Sequence, residues 1–245
     1  MNRFSSFMYF LMVCCISIDS LHLPQYIKTC KVRNADFKKC AIKNGNDIIK
    51  TIIKGDRKYN IPPANPLRFP LATVVSDSVN LNSTNISIHG LMDIDITDVD
   101  VNLSNNTILF EAHIPMLTIE FRYRISGKIS AFTIQGEGPG TVKIYDGFYR
   151  TGFGFNVTDR NGKRYMNLGN ESFHFDAKNM TFKFGNLFNG DEKLEYQMTN
   201  YLNQNWRDVV SALGPSLEKI GIFLGKLIVG TILQKVPVDE IFPDF

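Results

Sequence analysis

The sequence predicts an α+β fold in which one β-sheet packs against one long C-terminal helix. Two hydrophobic periods indicate this fold class. From about residue 71 to residue 184, apolar and polar residues alternate, as they do in strands with one buried face. From residue 192 onward, apolar residues recur at steps of three and four, as on one face of a helix. A chain of 245 residues is long enough to bury one sizeable core.

The N-terminus has the layout of a secretory signal peptide. Arg3 precedes the apolar run Phe7–Ile18, which is too short to span a bilayer. We predict cleavage after Ser20, so that 1–20 is the signal peptide and 21–245 forms a single extracellular domain. A membrane anchor is the alternative to this interpretation.

Secretion also determines how the cysteines and the sequons are interpreted. Cys14 and Cys15 fall within the predicted signal peptide, and Cys30 and Cys40 are therefore predicted to form one disulfide. Closing this short loop would stabilise the fold by roughly 3 kcal/mol in the chain-entropy model. Seven N-x-S/T sequons are predicted glycosylation sites, although two close pairs argue against full occupancy: Asn82, Asn85, Asn102, Asn105, Asn156, Asn170 and Asn179.

The first elements after the signal peptide are a helix and a proline-rich connector. Asp36–Lys54 carries isoleucines at helical spacing and predicts a helix that is interrupted near Asn44 and Gly45. Ile61–Pro70 contains prolines at four positions and predicts an extended, irregular connector. Thr118–Ser126 then alternates strictly and predicts a strand with one buried face.

Five further segments alternate in the same way and predict further strands: AFTIQG, TVKIYD, GFGFNV, SFHFD and MTFKFG. Turn signals at Gly136–Gly140, Asp159–Gly162 and Asn167–Asn170 separate these segments. The first of these turns, GEGPG, lacks both the G-K-[ST] and the helix that follow in a phosphate-binding loop. It is therefore predicted to be a hairpin turn.

The stretch Met92–Asp100 (MDIDITDVD) contains four aspartates and raises the question of a metal site. In a continuous strand, the apolar residues before and after Thr97 would lie on opposite faces. A bulge near Thr97 and Asp98 places every apolar residue inward, where that face helps to line a cavity, and every aspartate outward in water. The stretch lacks the glycine and the terminal glutamate of a calcium loop, so weak surface calcium binding is a minor alternative.

The last third of the chain predicts one long helix of about 45 residues. Asn189–Glu192 supplies the start signal, and Gly214–Pro215 predicts a bend. Ile220–Leu233 is apolar nearly all round apart from one lysine and is predicted to be covered on every side. The pair Gly221 and Gly225 predicts close packing of an aromatic ring or a ligand.

No constellation of residues with catalytic or metal-binding spacing is recognisable. The four histidines lack the spacing of a zinc site, and the G-x-S-x-G signature of secreted esterases is missing. The net charge is +3, with basic residues dispersed among nearly as many acidic ones, which disfavours nucleic-acid binding. We predict a monomer that is not an enzyme, holds no metal or cofactor and does not insert stably into a membrane.

Aromatic side chains at the strand positions that are predicted to face inward indicate instead a site for an apolar molecule. A strongly apolar sheet and helix can enclose a lined cavity, and a plainly packed core is the alternative for most of these side chains. Tyr123, Tyr145 and Tyr149 are the predicted polar contacts. The full predicted lining is Phe121, Tyr123, Phe132, Tyr145, Tyr149, Phe153, Phe155, Trp206 and Phe223.

Several motifs together closely resemble the signature of the insect takeout and juvenile-hormone-binding-protein family. They are L-F-N-G at Leu187–Gly190, N-x-N-W at Asn203–Trp206, K-x-P-x-D-E-x-F at Lys235–Phe242, and Y-x-I-x-G at Tyr123–Gly127. The opening LPQYIKTC and the proline segment also match, so the resemblance covers nearly all of the predicted mature chain. A single cysteine pair resembles the takeout branch.

The resemblance implies that a long helix is wrapped by a highly curved antiparallel sheet (a super-roll related to the lipid-binding tubular folds) around an internal hydrophobic tunnel. It implies a secreted carrier of juvenile hormone, a terpenoid, a fatty acid or an odorant-like molecule, without catalysis. One alternative is a secreted module that delivers its lipophile to a receptor or membrane through the helix end and the tail Pro237–Phe245. A hydrolase of lipophilic esters is the least favoured alternative.

Overall fold

The computed structural model describes residues 21–76, 78–129 and 132–245. The predicted signal peptide and the side chain of Phe132 lie outside the described residues. In chain order the elements are α1 (Phe37–Ile52), β1 (Leu67–Val75), β2 (Val79–His89), β3 (Asp95–Asn102), β4 (Thr107–Ile129), β5 (Phe132–Arg160), β6 (Lys163–Phe184), α2 (Glu192–Gln204), α3 (Trp206–Gly225), α4 (Thr231–Lys235) and α5 (Val238–Ile241).

The strands form one antiparallel sheet that curves around α3. Its order is β1-β2-β4-β5-β6, and β3 pairs with the part of β4 that β2 leaves free. The helix α3 contacts both β1 and β6, the strands at opposite ends of this order. Because one helix touches both ends, the sheet must wrap around it. The α+β fold with a wrapped C-terminal helix is therefore confirmed.

The predicted separate strands are fused into strands of unusual length, with 29 residues in β5 and 22 in β6. The predicted hairpin turn at Gly136–Gly140 is wrong, because this segment lies inside β5 and pairs with β4. A Cβ on Gly138 would lie 2.0 Å from the carbonyl oxygen of Gly185. Glycine is therefore required by the close crossing of another backbone segment, not by a turn.

The other two predicted turns have different outcomes. The turn in Asp159–Gly162 is confirmed, because Asn161 and Gly162 join β5 to β6 with positive φ angles of 55° and 74°. The predicted turn at Asn167–Asn170 is wrong, since it lies inside β6. The pairing of β5 with β6 shifts between Gly152 and Gly154 opposite this stretch, so the signal marks a bulge.

The aspartate-rich stretch contains the predicted bulge. The register of β3 against β4 shifts between Ile96 and Asp98. Asp93, Asp95 and Asp100 are exposed, but Asp98 is not free in water, because Lys38 of α1 lies 2.8 Å from its carboxylate. The helix α1 is continuous and packs on β3.

The C-terminal helical segment is broken at Asn205, and α3 continues through Gly214–Pro215. The side-chain amide of Asn205 donates a hydrogen bond to the carbonyl of Tyr201 at 2.8 Å and competes with the helical backbone. Pro215 lies within α3, and a π-helical turn, Lys226–Gly230, follows α3. The predicted single helix is therefore three helices, α2, α3 and the short α4, with the π-turn between α3 and α4.

The helix α3 packs closely on the sheet at Gly221 and Gly225, which confirms the predicted close packing of aromatic rings there. A Cβ on Gly221 would lie 2.3 Å from the ring of Phe173, and one on Gly225 would lie 3.3 Å from the ring of Phe153. The prediction that this helical segment is covered on every side is wrong, because Phe223 is 52% exposed. The single lysine of the segment, Lys226, forms an ion pair with Glu171 of β6.

The half of the molecule that contains β3 is filled by side chains. Phe37, Phe155, Met166 and Phe242 belong to one buried cluster there, and the rings of Phe37 and Phe242 lie 6.0 Å apart. A disulfide joins Cys30 to Cys40 near this cluster.

The C-terminal tail is part of this core and not a free contact surface. Val238 is fully buried, and Phe242 is 8% exposed. The carboxylate of Asp244 accepts hydrogen bonds from the backbone N–H groups of Val32 and Arg33. The predicted use of Pro237–Phe245 as a contact surface therefore conflicts with its burial.

Candidate ligand cavity

The other half of the molecule contains a cavity of about 720 Å³ between the concave face of the sheet and α3. This size is within the usual range for small-molecule sites. No residue of Met92–Asp100 lines it, so the expectation that this stretch helps to line a cavity is wrong; Leu91, just before the stretch, belongs to the wall.

The floor of the cavity is a row of apolar residues in register across four strands. Ile88 of β2 pairs with Ile119 of β4, which pairs with Val142 of β5, which pairs with Phe182 of β6. All four side chains line the cavity. Because register and alternation place them on one face, the strands present a continuous hydrocarbon surface to an occupant.

The roof of the cavity is the inner face of α3. Val209, Leu213, Leu217 and Leu224 line it at helical spacing. The cavity narrows where Gly221 allows the ring of Phe173 to approach the helix, since both residues belong to the wall. The π-turn follows immediately and adds Ile228 to the wall.

The cavity opens at the seam between the edge strand β1 and α3. Leu71 and Phe223 belong to the wall and are nevertheless 60% and 52% exposed, which marks the opening. The rings of Phe69 and Phe223 meet edge to face across the seam, with centroids 5.8 Å apart. Exposed polar and charged residues, Ser78 and Lys128 among them, line the same side.

The predicted lining residues are distributed between the cavity and other parts of the molecule. Phe121, Tyr149 and Phe223 line the cavity. Tyr123 and Trp206 are buried in the adjoining core, Phe155 belongs to the filled half, and Phe153 is buried against α3. Tyr145 lies on the convex face, between the exposed Met116 and Asn179 in the strand register.

The tyrosines that were predicted to be polar contacts differ in the hydrogen bonding of their hydroxyl groups. The hydroxyl of Tyr123 donates a hydrogen bond to the carbonyl of Gly185 at 2.9 Å and is already satisfied. The hydroxyl of Tyr149 is buried at the cavity wall and has no hydrogen-bond partner. Burial raises the pKa of Tyr149 above its ordinary value, and the phenol keeps its proton at neutral pH.

Most of the wall consists of aliphatic residues. The sequence-based prediction missed them because it considered only aromatic side chains as lining residues. Leu67, Leu81, Ile86, Ile125, Ile134 and Ile144 line the cavity in addition to the floor and roof residues. The alternation of apolar and polar residues already places these side chains on the inward face of each strand. Sequence periodicity does not distinguish an inward residue beside a cavity from an inward residue in a packed core.

The cavity wall offers contacts that suit an apolar molecule. Among the described residues, no group of three or more His, Cys, Asp or Glu side chains could hold a metal ion. In the same part of the chain, no helix is long and apolar enough to cross a membrane. The aliphatic wall offers dispersion contacts, and Tyr149 offers one unpaired hydrogen-bonding group.

Comparisons with known proteins agree with this architecture. The family model for haemolymph juvenile hormone binding protein (JHBP) matches residues 9–243. A putative beta-carotene-binding protein of Schistocerca gregaria is 24% identical over 222 residues, which cover 89% of this chain and 88% of that protein. The circadian clock-controlled protein daywake of Drosophila melanogaster is 24% identical over 129 residues, 52% of this chain and 50% of that protein.

A solved structure has the same fold. The crystal structure of Epiphyas postvittana Takeout 1 matches with a TM-score of 0.76 and 23% sequence identity. The match covers 88% of this chain and 99% of that one.

Proposed function

The chain belongs to the haemolymph juvenile hormone binding protein family, and from this premise we propose that it is a secreted carrier of one small lipophilic molecule. The observation that carries the proposal is the cavity of about 720 Å³ with a continuous aliphatic floor and roof. An apolar molecule gains roughly 25 cal/mol for each Å² of apolar surface that it removes from water there. The carrier shields its ligand and does not change it chemically.

The volume of the cavity favours ligands of moderate size. At about 30 Å³ for each heavy atom, the share of one water molecule in the liquid, 720 Å³ accommodates roughly 24 non-hydrogen atoms. Sesquiterpenoid hormones and long-chain fatty acids contain roughly 18 to 22 such atoms and fit this volume. A carotenoid with roughly 40 carbon atoms exceeds it, so the name of the locust relative does not transfer directly.

The unpaired hydroxyl of Tyr149 favours a ligand with at least one hydrogen-bonding group. A buried donor without a partner costs about 1–3 kcal/mol, and a carbonyl, ester or hydroxyl oxygen on the ligand removes this cost. A juvenile-hormone-like ester, an oxygenated terpenoid or an odorant alcohol meets this requirement, and a plain hydrocarbon does not.

Tyr149→Phe is expected to have opposite effects on the empty protein and on binding. Removing an unsatisfied buried hydroxyl should raise the free energy of unfolding of the empty protein by about 1 kcal/mol. The same change should weaken binding of an oxygenated ligand by about 3- to 10-fold and leave a hydrocarbon of equal length unaffected. Chemical denaturation and titration with a matched ester and alkane measure the two effects.

The control for this prediction is Tyr145→Phe, because Tyr145 lies on the convex face outside the cavity wall. It should leave both affinities unchanged. Equal loss of affinity for the ester and the alkane in Tyr149→Phe would contradict the role of the hydroxyl and indicate a change in the shape of the cavity.

Recovery of bound lipid from the secreted protein tests the carrier function itself. We expect native mass spectrometry to show a complex with one small molecule, and solvent extraction to release that molecule unchanged. Incubation with model esters should give no turnover. A protein that carries no lipid and takes up no fluorescent lipid probe would refute the proposal.

Localisation, glycosylation and oligomeric state complete the proposal. We propose cleavage after Ser20, an extracellular monomer, and glycosylation at some of the seven sequons. The disulfide between Cys30 and Cys40 supports an oxidising compartment. The side chains of six of the sequon asparagines are exposed, whereas Asn102 is half-buried and accepts a hydrogen bond from the backbone of Asn105.

A further inference from the structure

The convex face of the sheet carries an apolar patch that the cavity does not explain. Met116 is 50% exposed and Phe148 is 54% exposed. The ring of His113 packs on Phe148 with 4.9 Å between centroids, and Tyr145 lies half-buried beside Met116 in the strand register. We call Met116, Tyr145 and Phe148 the convex patch. None of the three lines the cavity.

The sheet register extends the convex patch directly to a sequon. Met116 of β4 pairs with Tyr145 of β5, and Tyr145 pairs with Asn179 of β6. Asn179 is exposed, while the next residue, Met180, points inward and lines the cavity. Side chains paired on one face lie about 4.5–5.5 Å apart at Cβ, so Asn179 stands next to the ring of Tyr145. Asn179 begins the sequon N-M-T.

We propose that an N-linked glycan on Asn179 lies along this row and covers the convex patch. The first sugar of the glycan is bonded to the side-chain nitrogen of Asn179, within reach of Tyr145, and the next sugars extend toward Met116 and Phe148. A pyranose ring has one face of C–H groups that packs on aromatic and thioether side chains, while its hydroxyl groups remain in water. The glycan therefore reduces the exposed apolar area without a protein partner.

Charged groups at the edge of the convex patch suit the polar side of a sugar. The carboxylate of Asp146, between Tyr145 and Phe148 in β5, lies 3.4 Å from His113 and 3.8 Å from Lys178. These groups can exchange hydrogen bonds with glycan hydroxyls in place of water.

Two other sequons within strands have polar cross-strand neighbours, whereas Asn179 has the aromatic ring of Tyr145 beside it. Asn82 of β2 pairs with Thr73 and Arg124, and Asn156 of β5 pairs with Asn167. Glycans at these positions extend into water beside polar side chains. The glycan of Asn179 has an apolar surface to cover.

The test measures the oxidation of Met116 by dilute peroxide in the glycosylated, secreted protein. Met92, which is 42% exposed and does not belong to the convex patch, serves as the internal reference. With its glycan in place, Met116 should oxidise at least about 3-fold more slowly than Met92, because oxidation follows exposure. Enzymatic removal of the glycan from the folded protein should abolish this protection.

Two variants separate the glycan of Asn179 from glycosylation in general. Thr181→Ala removes the sequon of Asn179 and should abolish the protection of Met116. Thr84→Ala removes the sequon of Asn82 and should leave the protection intact. An Asn179 without glycan, or a Met116 that oxidises equally fast before and after deglycosylation, overturns the proposal. Lipid binding in the cavity on the opposite face is unaffected by either outcome.

Discussion

Gly138→Ala is expected to lower the free energy of unfolding by about 3–5 kcal/mol, because its new methyl group meets a backbone segment that cannot yield. The methyl carbon would lie 2.0 Å from the carbonyl oxygen of Gly185. That carbonyl accepts from Tyr123, and the N–H of Gly185 donates to the carbonyl of Pro139 at 2.9 Å. Displacing the segment breaks these hydrogen bonds together.

Equilibrium unfolding in denaturant measures this loss, and Gly169→Ala is its matched control. Apart from its chain neighbours, nothing lies within 4 Å of a Cβ built on Gly169, which is inside β6. Alanine loses less conformational entropy than glycine in a strand, so Gly169→Ala should leave the free energy of unfolding unchanged or raise it by about 0.5–1 kcal/mol. A Gly138→Ala protein as stable as the wild type would show that the crossing at Gly185 is not fixed.

This crossing explains why GEGPG was predicted to be a turn. Glycine and proline at Gly136–Gly140 give the local signal of a turn, and the same residues permit a second backbone to cross a long strand. The partner in the crossing, Gly185, is distant in sequence. Local patterns carry no information about such a contact, so the length of β5 could not be predicted from them.

Two local features were predicted well, namely a bulge and the start of a helix. The bulge in MDIDITDVD follows from the need to bury both apolar sets, and the register shift between Ile96 and Asp98 confirms it. The start of α2 falls within the predicted signal Asn189–Glu192, and the capping residue is Asp191, whose side chain accepts from the N–H of Leu194 at 3.0 Å. The break at Asn205 was missed, because the apolar spacing continues across it.

The cavity itself was only partly predictable. The inward phase identifies which side chains leave water, but the presence of a void depends on how far α3 stands from the sheet. At Gly221 the helix approaches Phe173 closely, and toward β1 the void opens. Among three tyrosines predicted as polar contacts, only the structure distinguishes the satisfied Tyr123 from the unpaired Tyr149.

Val142→Trp is expected to weaken lipid binding by about 100-fold or more while the protein stays folded. Val142 lies in the middle of the floor, between Ile119 and Phe182 in the register, and is only half-buried because it borders the void. An indole at this position enters volume that a ligand would otherwise occupy. The side chain fills a void rather than a packed core, so the melting temperature should fall little or rise.

Titration with a fluorescent polyene fatty acid, together with thermal unfolding, measures both parts of this prediction. Val157→Trp is the matched control, because Val157 is 37% exposed in β5 and does not line the cavity. It should bind the probe as the wild type does. A Val142→Trp protein that is folded and binds with wild-type affinity would place the lipid site elsewhere. A loss of binding together with a loss of fold in Val142→Trp alone would show that the floor is packed, and this outcome would contradict the cavity as the structure describes it.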